Sequence, residues 1–448
     1  MSGARRVLHA RGSRLGAILA VALLGTGLAA CGSSDDSGTT SAAATSSGGS
    51  DTATSAVVGG SGASDSKDVT DYQTYTRSKP GKADPSLSPI GIGFVNNQGG
   101  QITFPGASEG AEAAVKMINE ELGGVDGHPV KLVTCFIKSA EEEGTTCAQK
   151  MVNDDTVKVV NIGTVVFGNE SFHATMAGQK PVIFSTATNP SDTVAKNTVI
   201  YIGDLTHVLS PAGPFAKDQL KASSAAVVYR DNAGNKEQGA AYTTGYKKAG
   251  LNVKSVGFSA QTTDLLPALT AAGAQTADVT SIASDATGCV PFYKSLQQMG
   301  SKTQVIANPL CFNQQLKEAY GGDIPKGWIE GTAGILPQDT SNPAVKLYRQ
   351  KMEQYGASDV VEDVFAQISF ADIVTTLKLI NESGGADATP DKIGAAARAF
   401  KGPVPMGPPT IDCGQVADAP NVCNTEGTFY RYEGNGKFTP MGGWIPSP

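Results

Sequence analysis

Gly106-Ala107-Ser108-Glu109-Gly110 has the Gly-x-Ser-x-Gly spacing of a serine nucleophile elbow, in which a strained strand-to-helix turn lifts the hydroxyl toward a substrate. An elbow needs its strand immediately before the turn, whereas here Asn96 to Pro105 intervene, and no histidine is placed by sequence to act as the base. Ser108 is expected to cap the helix, which leaves a serine hydrolase as the remote alternative. Glu141-Glu142-Glu143 offers carboxylates for acid or metal chemistry, but three consecutive side chains splay around a helix and cannot converge, so a solvated face is expected. Gly99-Gly100 lacks the Lys-Ser/Thr that completes a phosphate loop. Six of the seven cysteines form close sequential pairs, Cys135 with Cys147, Cys289 with Cys311 and Cys413 with Cys423. None has the Cys-x-x-Cys spacing of a zinc site, and His128, His173 and His207 are scattered, so three disulfides in an oxidising compartment are expected. The expectation is therefore a protein without catalytic residues, metal or cofactor.

The compartment is set by the first residues. Arg5, Arg6, Arg11 and Arg14 precede an apolar run from Leu15 to Leu24, the order of a secretory leader. The run falls short of the about 20 apolar residues that span a bilayer, and no later segment is expected to reach that length. Leu28-Ala29-Ala30-Cys31 resembles the bacterial lipobox, which would make residues 1–30 a signal peptide and Cys31 the lipidated anchor of an extracytoplasmic protein. From Gly32 to about Lys67 the chain is almost only Gly, Ser, Ala, Thr and Asp, so residues 31–86 are expected to form a disordered tether with a reach of roughly 40 Å. The net charge of −7 argues against nucleic acid or an anionic lipid surface as partner.

Beyond the tether, β-branched runs alternate with helical periodicity, the pattern of βα units around parallel sheets. Strands are expected at Ile90 to Val95, Val130 to Phe136, Val157 to Ile162 and Val182 to Ser185, with helices near Ala111 to Leu122, Glu141 to Asn153 and Asn169 to Ala177. A second series has strands at Ala225 to Tyr229, Val253 to Phe258, Val279 to Ala283 and Gln304 to Ala307. Gly331 to Leu336 reads as strand, Ala344 to Tyr355 and Val364 to Glu382 as helices, and the tail from Gly402 as a hairpin closed by Cys413 and Cys423. Two open α/β sheets would place ligand-facing loops at the carboxyl ends of their strands.

The stretch Ala111 to Val130, with Ile118-Asn119, Gly123-Gly124 and Gly127-His128-Pro129, is similar to a segment of the type I periplasmic binding proteins, in particular the branched-chain amino acid group. Phe184 to Pro190 resembles the fourth-strand motif of that family, and Tyr229 to Gly250 the opening strand and helix of its second lobe. The likeness covers about residues 88–440. It implies two Rossmann-like lobes with parallel central sheets joined by a three-strand hinge, with lobe 1 formed by 87–205 plus 333–400 and lobe 2 by 206–332 plus 401–448. Crossovers would fall near Gly203 to His207, Trp328 to Gly334 and Lys401 to Met406. It further implies the substrate-binding subunit of an ABC importer, a monomer working with permease and ATPase subunits. A sensor that signals through a membrane partner is the alternative, because one fold serves both tasks.

The same resemblance maps ligand-binding positions onto Asn97, Gln101, Thr164, Val165, Phe167, Ser185, Thr186, Thr188, Asn232, Asn235, Asp285 and Asn308. The hydroxyls would donate to a carboxylate or carbonyl near helix N-termini, although Ser and Thr at strand ends also cap turns. Where amino-acid-binding members carry a carboxylate-holding serine and an ammonium-pairing acid, this chain has Val166-Phe167 and Leu310, so a plain α-amino acid is not the expected ligand. Asp285 is either a replacement counter-charge or a turn residue, and Phe167 either a stacking platform or core. The amides at Asn96, Asn97, Gln98, Gln101, Asn232 and Asn235 suit a neutral polar solute.

Overall fold

β-branched and small apolar residues build central strands that are covered on both faces, and the chain folds as two α/β lobes. The computed structural model describes residues 68–100 and 102–448, so the leader, Cys31, most of the tether and Gln101 lie outside the described residues. A short helix α1 (Tyr72–Thr76) precedes β1 (Ile90–Asn97), α2 (Pro105–Glu121), β2 (Val130–Ile137), α3 (Glu142–Asn153) and β3 (Val157–Ile162). Then come α4 (Asn169–Met176), β4 (Val182–Ala187), α5 (Pro190–Val194) and β5 (Thr198–Asp204). These strands form a parallel sheet in the order β2-β1-β3-β4-β5. All of β1 is buried, as expected of a central strand with helices on both sides.

The second lobe opens with α6 (Leu205–Leu209), α7 (Ala212–Asp218), β6 (Ser224–Arg230), α8 (Ala233–Lys248) and β7 (Asn252–Phe258). It continues through α9 (Leu266–Ala272), β8 (Val279–Ala283), α10 (Ala286–Met299), β9 (Gln304–Ala307), α11 (Gln314–Ala319) and β10 (Ile329–Thr332). The chain returns to the first lobe for α12 (Pro343–Gln354), α13 (Val364–Glu382) and α14 (Pro390–Ala399), and ends with β11 (Glu426–Gly434), β12 (Lys437–Pro440) and β13 (Ile445–Pro446). The second sheet runs β12-β11-β10-β9-β8-β6-β7, parallel up to β10, with β11 antiparallel to β10, β12 and β13. Each sheet separates two apolar clusters, one on either face.

Several expectations need correction. The tether does not extend to residue 86: Val69 and Tyr72 are buried in the core of the first lobe, and Asp71 caps α1 by accepting from the amides of Gln73 and Thr74. Three apolar side chains in one short stretch gave it something to bury. The third crossover does not lie at Lys401 to Met406. Val404, Met406 and Ile411 join one face of the first lobe, Ala419 and Val422 join the other, and Val422 bridges Ile200 beside β5, so the chain crosses only between Cys423 and Glu426. The loop closed by Cys413 and Cys423 is accordingly not the hairpin, which is β11 and β12 outside it. The other two crossings follow Asp204 and lie between Thr332 and Ile335. β5 escaped the sequence reading. Finally, α13 is long and apolar enough to span a bilayer by composition, but 72% of its apolar window is buried inside the lobe.

All three cysteine pairs form disulfides. Cys135–Cys147 ties β2 to α3, and Cys289–Cys311 ties α10 to the turn after β9.

Candidate functional site

At the carboxyl end of β1, Asn96 and Asn97 are fully buried and hold the neighbouring loops together. Asn96 accepts from the Thr164 amide at 3.0 Å and donates to the Phe104 carbonyl at 2.8 Å and to the Ser108 hydroxyl at 3.1 Å. Asn97 accepts from the Val166 amide at 2.7 Å and donates to the Ile137 carbonyl at 3.2 Å. Both groups of each amide are thereby committed to the scaffold, which is the usual fate of a buried amide. Ser108 sits inside α2 rather than at its N-cap, which is Phe104, and donates to Gln98 at 2.6 Å. The capping expectation fails because the helix starts earlier, at Pro105. Glu141 and Glu143 are likewise not simply solvated. Glu143 accepts from the amides of Lys138, Ser139 and Ala140, and Glu141 from those of Gly168 and Ser171, so they close backbone turns.

The structure brings Asn97, Thr164, Val165 and Thr188 together at the strand ends of the first lobe. Thr188 donates to the Val165 carbonyl, and the Thr164 hydroxyl is buried without a hydrogen-bond partner. Val165 is buried, with Phe167 half-buried against the same apolar cluster. Thr186 is half-buried at an irregularity in the pairing of β4 with β5. Ser185 points away from these loops and donates to the buried Asp372 carboxyl on α13. In the second lobe, Asn232 is exposed and caps α8 by accepting from the Asn235 amide, while Asn235, Gln238 and Asn308 form a buried chain of amides. Asp285 caps α10, and its charge is already answered by Arg230 at 3.1 Å and by Thr287.

A cavity of about 350 Å³ lies between the lobes, within the range of small-molecule sites. Among the described residues, none of the sequence-predicted ligand residues lines it, although Thr103, Ala286, Pro309 and Leu310 from neighbouring positions do. The first lobe supplies Phe104 and Phe365, whose rings meet edge to face at 4.9 Å, and Asp363, which caps α13. The second supplies Phe312, Tyr432 and Phe438, with Phe438 5.7 Å from Phe312 and 5.0 Å from Tyr432 between ring centroids. Between them stands Glu330 on β10, beside the second crossing.

Glu330 is only 4% exposed. Its strand neighbour Ile329 faces the apolar cluster on the other side of the sheet, so the alternation of β10 turns Glu330 toward the cavity. Among the described residues it has no hydrogen bond or ion pair, and burial pushes its carboxyl up to about 8. Asp363 is raised by burial as well, against the lowering effect of the Phe365 and Ala366 amides. Glu330 was missed because the expected strand began at Gly331. The signal was present: a lone acid after the apolar pair Trp328-Ile329.

Two α/β lobes with three crossings and a cavity lined from both define a hinged binding protein. The periplasmic binding protein family profile matches residues 89–423, and the chain belongs to that family. Similar solved structures include an ABC transporter substrate-binding protein from Sphaerobacter thermophilus, with 16% identity, TM-score 0.68, and 80% of this chain and 98% of the other covered. A solute-binding protein from R. palustris, solved with 4-hydroxybenzoate, has 16% identity and TM-score 0.66 over 81% of this chain and 98% of its own. A leucine-binding protein from Thermotoga maritima has 18% identity and TM-score 0.62 over 80% of this chain and 99% of its own. No curated protein sequence matches the chain.

Proposed function

We propose that the protein is the extracytoplasmic substrate-binding subunit of an ABC importer, which captures a small organic solute between its lobes and delivers it to a permease and ATPase pair. The observation that carries this reading is the cavity lined by both lobes and by the hinge strand β10, because a solute held there is enclosed when the lobes rotate together. Leu310, at the position where the amino-acid-binding relatives carry an acid, contributes an apolar wall, which supports a ligand other than a plain α-amino acid. Thr164 does not line this cavity, but its uncommitted hydroxyl at the strand ends of the first lobe makes it the sequence-predicted donor freest to take a ligand group. The lipobox-like sequence ending at Cys31 supports attachment to the membrane surface through lipid.

The test is a thermal-unfolding screen of the full chain against amino acids, amides, aromatic acids, amines and sugars, followed by small-angle scattering on any compound that stabilises. A ligand at 100 times its dissociation constant adds about 2.7 kcal/mol, which moves the midpoint by several degrees. Compaction with a stabilising solute is expected. A stabilising solute that leaves the radius of gyration unchanged would count against capture by lobe closure.

A further inference from the structure

We propose that the inter-lobe cavity takes an organic cation, with its ammonium or amidinium group seated on Glu330 and its apolar body against the rings of Phe104, Phe312, Phe365 and Phe438. The inference deepens the function proposed above and rests on it. A carboxyl side chain buried in the wall of a cavity, without a hydrogen bond or ion pair, is a group whose partner comes from outside the chain. Two other carboxyls buried near strand ends each have one: Asp192 pairs with His173 and Asn169, and Asp204 with His207.

The sign of the missing partner follows from the rest of the wall. The charged residues that line the cavity are Glu330, Glu362, Asp363 and Lys317, and neither arginine nor histidine is among the described lining residues. Glu362 is turned outward to Arg349 at 3.4 Å, and Lys317 is half-exposed on α11. An anionic solute would thus meet the buried Glu330, the half-buried Asp363 and no buried cation. A cationic solute meets the carboxyls, and around them aromatic rings whose faces attract positive charge.

The pairing requires the Glu330 proton to leave. Burial holds that carboxyl at about 8, so in the empty cavity it is protonated at neutral pH. Seating a cation expels the proton to solvent. Affinity for the cation is therefore expected to rise about tenfold per pH unit up to about pH 8 and then level off. The other groups facing this position are Lys317, Glu362, Asp363 and Tyr432 around the cavity, and Tyr430 opposite Glu330 in the sheet.

The test is isothermal titration of the full chain with phenethylamine, benzamidine and choline against benzamide, benzoate and leucine, at pH 6, 7 and 8, in buffers of different ionisation enthalpy. The expected result is binding of one or more cations with release of close to one proton per ligand at pH 7. Glu330→Gln is expected to weaken cation binding at least tenfold and to abolish the proton release. Proton release is read on the unsubstituted chain, so a variant that fails to fold leaves the test intact. Tighter binding of benzoate, leucine or benzamide than of every cation would overturn the cation assignment while leaving the solute-binding function in place. Silence from all six compounds would count against both.

Discussion

Glu330 and Asp372 are two carboxyls that burial holds near pH 8, and their surroundings separate their roles. Glu330 opens onto the cavity with no partner, whereas Asp372 is sealed on the buried face of α13, where it accepts from Ser185 and leaves its other oxygen without a partner. For Asp372 the folded value of about 8 stands above the ordinary 3.8. Between those values the unfolded chain gives up the proton and the folded chain keeps it, so stability falls as pH rises through that window. Asp372→Asn keeps the Ser185 hydrogen bond and has nothing to titrate. Chemical denaturation is expected to show the variant level with the parent at pH 4 and more stable at pH 8, by roughly a few kcal/mol. A gain that does not grow with pH would show that the carboxyl ionises freely in the fold. Ser185 was legible as a polar residue at a strand end. Its partner lies 187 residues further along the chain, beyond the reach of local pattern.

The first lobe is held together by the contact of α2 with α13. Gly106 and Gly110, the outer residues of the Gly-x-Ser-x-Gly match, are small because α13 runs against them. A Cβ on Gly110 would lie 2.1 Å from the Ala366 carbonyl oxygen, and one on Gly106 would lie 2.2 Å from the Asp363 carboxylate. The motif is a helix-packing device, and its serine ties α2 to the loop after β1. Gly110→Ala is expected to force the helices apart and cost about 1–3 kcal/mol in urea denaturation, as overpacking does elsewhere. Unchanged stability would mean that α13 shifts without penalty. Because α13 begins at the cavity with Asp363 and Phe365, the same variant should also weaken solute binding. Most element types along both lobes were legible from periodicity, β5 being an exception. The glycine contacts were not, because a short motif carries no record of which helix will lie across it.

At the scale of the molecule, the segment before β1 belongs to the body. Val69 and Tyr72 are buried among residues of α13, and the Tyr75 hydroxyl bonds to Thr375 and to the Pro403 carbonyl, so residues 68–76 brace the first lobe near its return crossing. A chain starting at residue 87 is expected to unfold several degrees below one starting at residue 68 in a thermal melt, since burying even one such side chain contributes about 1.5–3 kcal/mol. Equal midpoints would show the segment to be a passive covering. The sequence by itself determined the repeating βα pattern and the three cysteine pairs, because these depend on local periodicity and on residues close together along the chain, and its motifs carried the resemblance that implied the two-lobed family. Tertiary structure alone decided that the third crossing follows the last disulfide, that Asn97 and Asp285 are committed to the scaffold, and that Glu330 faces the cavity. Each of those depends on which distant surfaces meet, and on whether a polar group finds its partner within the chain or is left to take one from outside.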